Sequence, residues 1–326
     1  MNTCADMKLG IVAIGRNEGE RLRICLQSLT RRPGAVIVYV DSGSTDNSVS
    51  LARSFQAHVV ELDMSRPFTA ARARNEGFAQ LLKLAQDIAF VQFLDGDCEL
   101  QPDWIDQAIQ TFQEHPRAGV VCGRRRERFP QKSLYNRLCD IEWNTPVGRV
   151  MSCGGDAMIR VQAFQEVGGY NPNVIAGEEP EMCVRLRAKG WEIYRIDAEM
   201  TLHDADMTRF SQWWKRNYRA GHAYAQGNDL HGNPPERFRE KEVRSNTIWG
   251  LLWFIPLAWP LHAILMLKIM HDMKSRRGLP TSDAFLYGLF VTLGKLPQFL
   301  GQRKYHRNRM SGKQSTLIEY KTASTS

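Results

Sequence analysis

Asp95 and Asp97 stand one glycine apart at the end of Phe90-Val91-Gln92-Phe93-Leu94, a short and almost wholly apolar run. Such a run reads as a strand buried on both faces of a parallel sheet. Its two carboxylates then fall at the carboxyl edge of that sheet, where open α/β folds bind ligands. Paired hard oxygens in that place suit a divalent cation bridging to a diphosphate. Taken alone, Asp-Gly-Asp is also a good tight turn with solvated carboxylates, so the chemistry depends on what surrounds it.

Four further groups could take part. Glu178-Glu179-Pro180-Glu181 opens a helix with Met182, Cys183 and Leu186 on its apolar face, and carboxylates in a first turn already suit the helix dipole. Arg72 and Arg74 sit in the first turn of a helix opening at Ala70, where the dipole disfavours cations and a bound anion would remove the conflict. Gly154 and Gly155 lead a strand over residues 152–160, and glycines so placed often mark close backbone approach of a ligand. His203 follows a strand over 191–196; a lone histidine is more often structural than a ligand.

The elements that must position these groups alternate strand and helix. Residues 9–14 read as the first strand, running into Gly15-Arg16-Asn17-Glu18-Gly19 and an amphipathic helix over 20–32. Residues 35–40 form a second strand, ending in Asp41-Ser42-Gly43-Ser44-Thr45-Asp46, where Thr45 or Asp46 caps a helix over 47–55 and Asp41 sits at the strand's carboxyl edge. Residues 58–62 form a third strand. Trp104, Ile105, Ala108, Ile109 and Phe112 make one apolar stripe of the helix begun at Gln101-Pro102-Asp103, and that stripe is core. A strand over 118–122 follows, then the arginine run Arg124, Arg125, Arg126 and Arg128, read as a solvated loop with no assigned role. A basic aromatic helix over 210–227 carries Trp213, Trp214, Tyr218, Arg216 and Arg219 and suits closure over a diphosphate or contact with a membrane surface.

In order, these motifs resemble the family 2 glycosyltransferases: a strand then Asn17-Glu18, a strand then Asp41-Ser42-Gly43-Ser44, Ala73-Arg74-Asn75, Asp95-Gly96-Asp97, Gly154-Gly155-Asp156-Ala157, and Gly177-Glu178-Glu179. The resemblance implies an α/β fold of the GT-A nucleotide-sugar-binding type with a mostly parallel central sheet. It implies donor contacts from Asn17, Glu18, Asp41, Asp95, Arg74 and Arg72, with Asp41 on the nucleotide base and the arginines on the diphosphate. Relatives carry a second aspartate where Ser42 stands, which leaves open how base and ribose are held. A divalent cation, Mn2+ or Mg2+, would be held by Asp97 with Asp95 and His203. Glu179 stands at the place of the catalytic base, with Glu178 as the alternative, and Gly154, Gly155 and Asp156 fall on the acceptor side. The implied reaction is inverting transfer of a sugar from a nucleotide-diphosphate donor, UDP-sugars favoured, to an alcohol.

The 326-residue length allows one large α/β domain, here residues 8–205, with an appendage over 206–326. Residues 1–200 are near charge balance, whereas 201–326 carry 19 Lys and Arg against 9 Asp and Glu. A basic tail points to an anionic surface. Residues 245–267 contain no Asp, Glu, Lys or Arg, and a second apolar run covers 284–300. Interruption by Pro256 and Pro260, and basic residues on both flanks and in the connector, favour a re-entrant or interfacial association over a simple span. No motif for nucleic acid is present. The tail therefore predicts a peripheral or re-entrant protein on the cytoplasmic face of an inner membrane, acting on a lipid-linked or saccharide acceptor in cell-surface polysaccharide synthesis. Seven scattered cysteines without Cys-X-X-Cys indicate free thiols, and residues 1–7 show no secretory signal. A sugar-nucleotide nucleotidyltransferase and a catalytically silent nucleotide-binding scaffold are the alternatives.

Overall fold

The computed structural model describes residues 8–313; the readings made on residues 1–7, Cys4 included, lie outside them. The first half alternates as expected: β1 (Leu9–Gly15), α1 (Glu20–Leu29), β2 (Val36–Asp41), α2 (Ser48–Ser54), β3 (His58–Glu61), α3 (Ala70–Leu84) and β4 (Phe90–Asp95). Then come β5 (Cys98–Leu100), α4 (Trp104–Glu114), β6 (Ala118–Glu127), α5 (Leu134–Trp143), β7 (Gly148–Val150), β8 (Ala157–Arg160), α6 (Val161–Glu166), α7 (Glu178–Ala188) and β9 (Glu192–His203). Four more helices follow among the described residues: α8 (Phe210–His231), α9 (Glu240–Leu252), α10 (Trp259–Arg277) and α11 (Thr281–Met310).

The strands form one sheet in the order β3-β2-β1-β4-β8-β6-β9-β5, with β7 on β9. Strands β3, β2, β1 and β4 are parallel, and β1 is buried along six of its seven residues because helices cover both faces. Gly77 lets α3 lie close on that sheet, since a Cβ there would come within 2.5 Å of Val12 and 2.7 Å of Val40.

The expectation of a mostly parallel sheet needs correction: the sheet is mixed. Strand β8 runs antiparallel to both β4 and β6, and β5 and β7 run antiparallel to β9. A parallel neighbour for β4 would require a crossover back to the amino edge. Residues 151–156 instead bring the chain in at the carboxyl edge, and β8 leads away from it. The carboxyl ends of β1, β2, β4, β6 and β9 and the amino ends of β5 and β8 therefore share one edge.

Two other elements differ from expectation. β9 extends to His203, so the histidine ends the strand rather than following it. The arginine run belongs to β6, where register shifts against β9 between Cys122 and Arg124, and again between Arg124 and Arg125, break the alternation that marks a strand.

The last helices pack on one another and on the sheet domain. A Cβ at Gly221 would lie 1.9 Å from the Gln298 carbonyl oxygen and one at Gly301 2.0 Å from that of Tyr218, so α8 and α11 cross with their backbones touching. Helix α11 reaches α5 through Tyr135 against Phe290 and through Arg137, which donates to both oxygens of Asp283 (3.1 and 2.5 Å). The apolar run 284–300 lies inside α11, where Leu286, Tyr287, Phe290 and Leu293 pack around Leu138 and Trp213. The run 245–267 is divided into the end of α9, a 3-10 turn over Pro256–Ala258 and the start of α10. No helix among the described residues is long and apolar enough to cross a membrane.

Candidate active site

A cavity of about 540 Å³ opens at the shared sheet edge. Register places its floor: Gly15 pairs with Asp41 and Ile14 with Asp95, while Gly96 N–H donates to the Ile14 carbonyl (2.7 Å) and Ser42 N–H to that of Gly15 (3.0 Å). Arg16, Asn17, Glu18 and Ser42 line one end. Asn17 adopts φ 55, a left-handed conformation that asparagine tolerates, and its side chain accepts from Thr45 N–H (2.7 Å). Asp41 does not line the cavity. Its carboxylate accepts from the N–H groups of Gly43 (3.0 Å) and Ser44 (2.8 Å), which fixes the turn that presents Ser42. Asp46 accepts from Ser48 N–H and Gly19 N–H, whereas the N-cap of α2 is Asn47 and no side chain caps it, so neither Thr45 nor Asp46 is the cap read in the sequence.

Opposite strand ends bring the second group together. Strand β5 pairs Cys98 with His203, and β6 pairs Glu127 with His203, so the imidazole lands beside Asp97. His203 Nε2 lies 3.3 Å from Asp97, and its Nδ1 lies 3.8 Å from Glu127 without a hydrogen-bond partner. Ligand atoms of Asp95, Asp97, Cys98 and His203 fall within 4.8 Å of one another. Two carboxylates and an imidazole form a donor set that fits a hard divalent cation such as Mn2+. Cys98 suits it least, since sulfur is a soft donor; in the metal-free protein burial, and then Asp156, push its thiol well above the ordinary range.

Arg74 joins this cluster to the acidic end of α7. Its guanidinium, 2% exposed, lies 2.9 Å from Asp95, 2.8 Å from Glu178 and 2.9 Å from Glu179. The cation in the first turn of α3 is thus answered by three side-chain carboxylates. Burial works against charge on Asp95, yet Arg74 and Arg125 hold its carboxyl below the usual range. Glu179 is pushed up to about 7, chiefly by burial and then by the Glu178 charge, with Arg74 opposing both. Glu181 turns away to Arg185 (2.7 Å) and His231 (2.9 Å). A Cβ at Gly155 would stand 3.0 Å from Arg74 Nη2 and 3.3 Å from Glu179 Oε1, so this glycine is a wall of the cavity. Gly154 and Asp156 do not line it. Asp156, buried beneath, accepts from Asp95 N–H (3.3 Å) and Thr201 Oγ1 (2.7 Å). Arg72 also stays outside, donating to the carbonyls of Asp63 (3.0 Å) and Arg66 (3.1 Å).

Comparison with known proteins gives this arrangement its family. The model of Glycosyl transferase family 2 matches residues 11–168, and that of Glycosyl transferase family group 2 matches residues 90–294. The chain belongs to the family 2 glycosyltransferases. This glycosyltransferase is 22% identical over 252 residues to Glycosyltransferase AglE of Haloferax volcanii, covering 74% of this chain and 79% of that one. It is 24% identical over 181 residues to the O-antigen chain rhamnosyltransferase WbaN of Salmonella anatum, covering 51% of this chain and 55% of that one. Among solved structures, the mannosyltransferase PcManGT from Pyrobaculum calidifontis, in complex with GDP-Man and Mn2+, superposes with a TM-score of 0.59 at 16% identity, over 95% of this chain and 89% of that one. That likeness shows a shared GT-A-like α/β fold.

The glycosyltransferase cavity holds residues that sequence reasoning passed over. Arg125 lies 3.3 Å from Asp95 and 3.5 Å from Asp156, with its guanidinium over the Trp143 ring at 4.9 Å. Trp143 also meets the His203 ring edge to face at 4.7 Å. The available signal was Glu127, a lone acid among arginines, which accepts from Asn136 Nδ2 and Ala205 N–H beneath the histidine. Arg216 and Arg219 on α8 reach the same cavity.

Proposed function

We propose that this enzyme transfers a glycosyl group from a nucleoside diphosphate sugar, with UDP-sugars first among the candidates, to an alcohol on a lipid-linked or saccharide acceptor. The transfer inverts the anomeric carbon and serves polysaccharide biosynthesis at the cytoplasmic face of a membrane. One observation carries the reading: Arg74 binds Asp95 of the cation cluster and Glu179 at the same distance, 2.9 Å, so leaving-group site and base share one cavity. The O-antigen and mannosyl activities named for the relatives support the pathway and the donor class.

In the step proposed, the acceptor oxygen bonds to the anomeric carbon as the bond from that carbon to the diphosphate oxygen breaks. Displacement from the opposite face inverts the centre. The hydroxyl proton passes to Glu179, which at about 7 is matched to neutral operation. Glu178 is the alternative acceptor of that proton. Asp97 and Asp95, with His203, would hold Mn2+ or Mg2+, which when bound neutralises charge growing on the leaving diphosphate. Arg74 fixes Asp95 and Glu179 relative to each other. Arg16, Asn17, Glu18 and Ser42 line the donor end, and Gly155 keeps the acceptor side open to the base.

The test is Glu179→Gln. Such a base typically contributes ~10²- to 10⁴-fold, so kcat should fall by that factor while nucleotide affinity stays unchanged. Full turnover by the variant, or an equal loss confined to Glu178→Gln, would remove Glu179 from the role.

A further inference from the structure

One apolar surface outside the cavity is turned outward. Across the end of α9, the 3-10 turn and the first turns of α10, Leu257 is 93% exposed, Phe254 63% and Ile264 62%, with Ile255, Trp259 and Leu267 each about half exposed. A contiguous apolar ridge of this kind marks an interaction site rather than ordinary surface. Its sequence carries no Asp, Glu, Lys or Arg from Ser245 to Leu267. Exposed basic side chains lie on the same two helices: Lys241 and Arg244 before it, balanced there by Glu240 and Glu242, and Lys268, Lys274 and Arg276 after it against the single acid Asp272, so the net positive rim is the one on α10. The indole N–H of Trp259 donates to the Trp253 carbonyl (3.2 Å), placing two tryptophans at the bend.

Each feature narrows the occupant. The bent segment has no helix able to span, yet apolar side chains next to tryptophan and flanked by Lys and Arg suit the boundary between head groups and acyl chains. A second copy of the chain fits poorly, because face-to-face packing of the ridge would bring like-charged rims together. Anionic head groups complement the α10 rim. The other apolar run does not contribute, since α11 spends its apolar face on α5 and α8.

We propose that residues 251–267 form a membrane seat that enters the interface of an anionic bilayer without crossing it, with the lysines and arginine of the α10 rim on lipid phosphates. The seat is independent of which reaction the cavity performs.

Co-sedimentation of the full chain with phosphatidylcholine vesicles, with and without phosphatidylglycerol, tests it directly. Binding should require the anionic lipid for full strength and weaken as salt rises. The Trp259 region should show quenching by brominated lipid. Replacing Phe254 and Leu257 together by serine should reduce vesicle binding by about tenfold or more, since two large apolar groups no longer leave water. Lys268→Gln with Lys274→Gln should remove the preference for anionic lipid while leaving residual binding. Unchanged melting temperature and nucleotide binding establish that these surface variants fold; should the double serine variant fail that check, Leu257→Asp alone makes the same comparison. No vesicle binding by the wild type, equal binding by the serine variant, or a wild-type dimer that the serine variant abolishes would each overturn the proposal, the last by assigning the ridge to a second copy.

Discussion

The two halves of the sheet build the cavity by different means. On the β3-β2-β1-β4 side, parallel strands end together, and their last residues meet because register aligns them, as Ile14 with Asp95 and Gly15 with Asp41. On the β8-β6-β9-β5 side, strands run both ways, and side chains arrive from strand starts, strand ends and bulged positions: Asp156 ahead of β8, Arg125 within β6, His203 at the end of β9. The first half supplies loops and turns; the second supplies a dense set of buried charges. Arg74 is the tie between them, reaching Asp95 from one side and Glu179 from the other.

If that division is right, substitutions should separate cleanly. The largest effect falls on the charged side, where Glu179→Gln lowers kcat by ~10²- to 10⁴-fold in a steady-state assay. Next comes the tie itself. Arg74→Ala strands buried carboxylates on both sides and should cost ~3–5 kcal/mol in urea unfolding, as breaking a buried ion pair does. A loss no larger than that of a surface substitution would mean the halves are held by packing alone. Behind the cation cluster, Glu127→Gln removes the carboxylate facing His203 and should weaken Mn2+ affinity by ~10- to 100-fold in a metal titration. On the frame side the effect is smallest: Asp41→Ala frees one turn and should cost ~1 kcal/mol of stability with kcat preserved.

Acidity sharpens the contrast. A base must be ionised to act, so kcat/KM should rise with pH through about 7, the position of Glu179, and the Gln variant should lose that limb. Arg74 favours the carboxylate, so its removal should move the limb to higher pH, provided the variant folds. Stability runs the other way. Because the folded carboxyl holds its proton above the ordinary value of 4.5, its contribution to stability is full below that value and is lost as pH rises through about 7.

The same contrast explains what could be read in the sequence. Asp95 and Asp97 were legible because parallel buried strands leave apolar runs that stop abruptly at polar residues, and topology then puts those stops on one edge. Arg125 was not, because two register shifts in β6 disrupt the strand signature and a cluster of arginines resembles solvated surface. His203 was legible as a residue but not as the end of a 12-residue strand. Asp41 and Arg72 show the converse: the sequence marks them as polar at functional-looking places, while their atoms are engaged in holding loops. The mixed sheet was hidden because a four-residue antiparallel strand such as β8 carries the same apolar pattern as a parallel one.

The central claim is that the shared strand edge is a cation-dependent nucleotide-sugar site. Thermal unfolding with UDP-, GDP- and dTDP-sugars, each with and without Mn2+, measures it, since a ligand that binds the folded state alone raises the melting temperature. The account predicts a rise with one nucleotide sugar that needs Mn2+, is abolished in Asp97→Ala and is retained in Glu179→Gln. A rise of equal size without the cation, or one that survives Asp97→Ala, would contradict it.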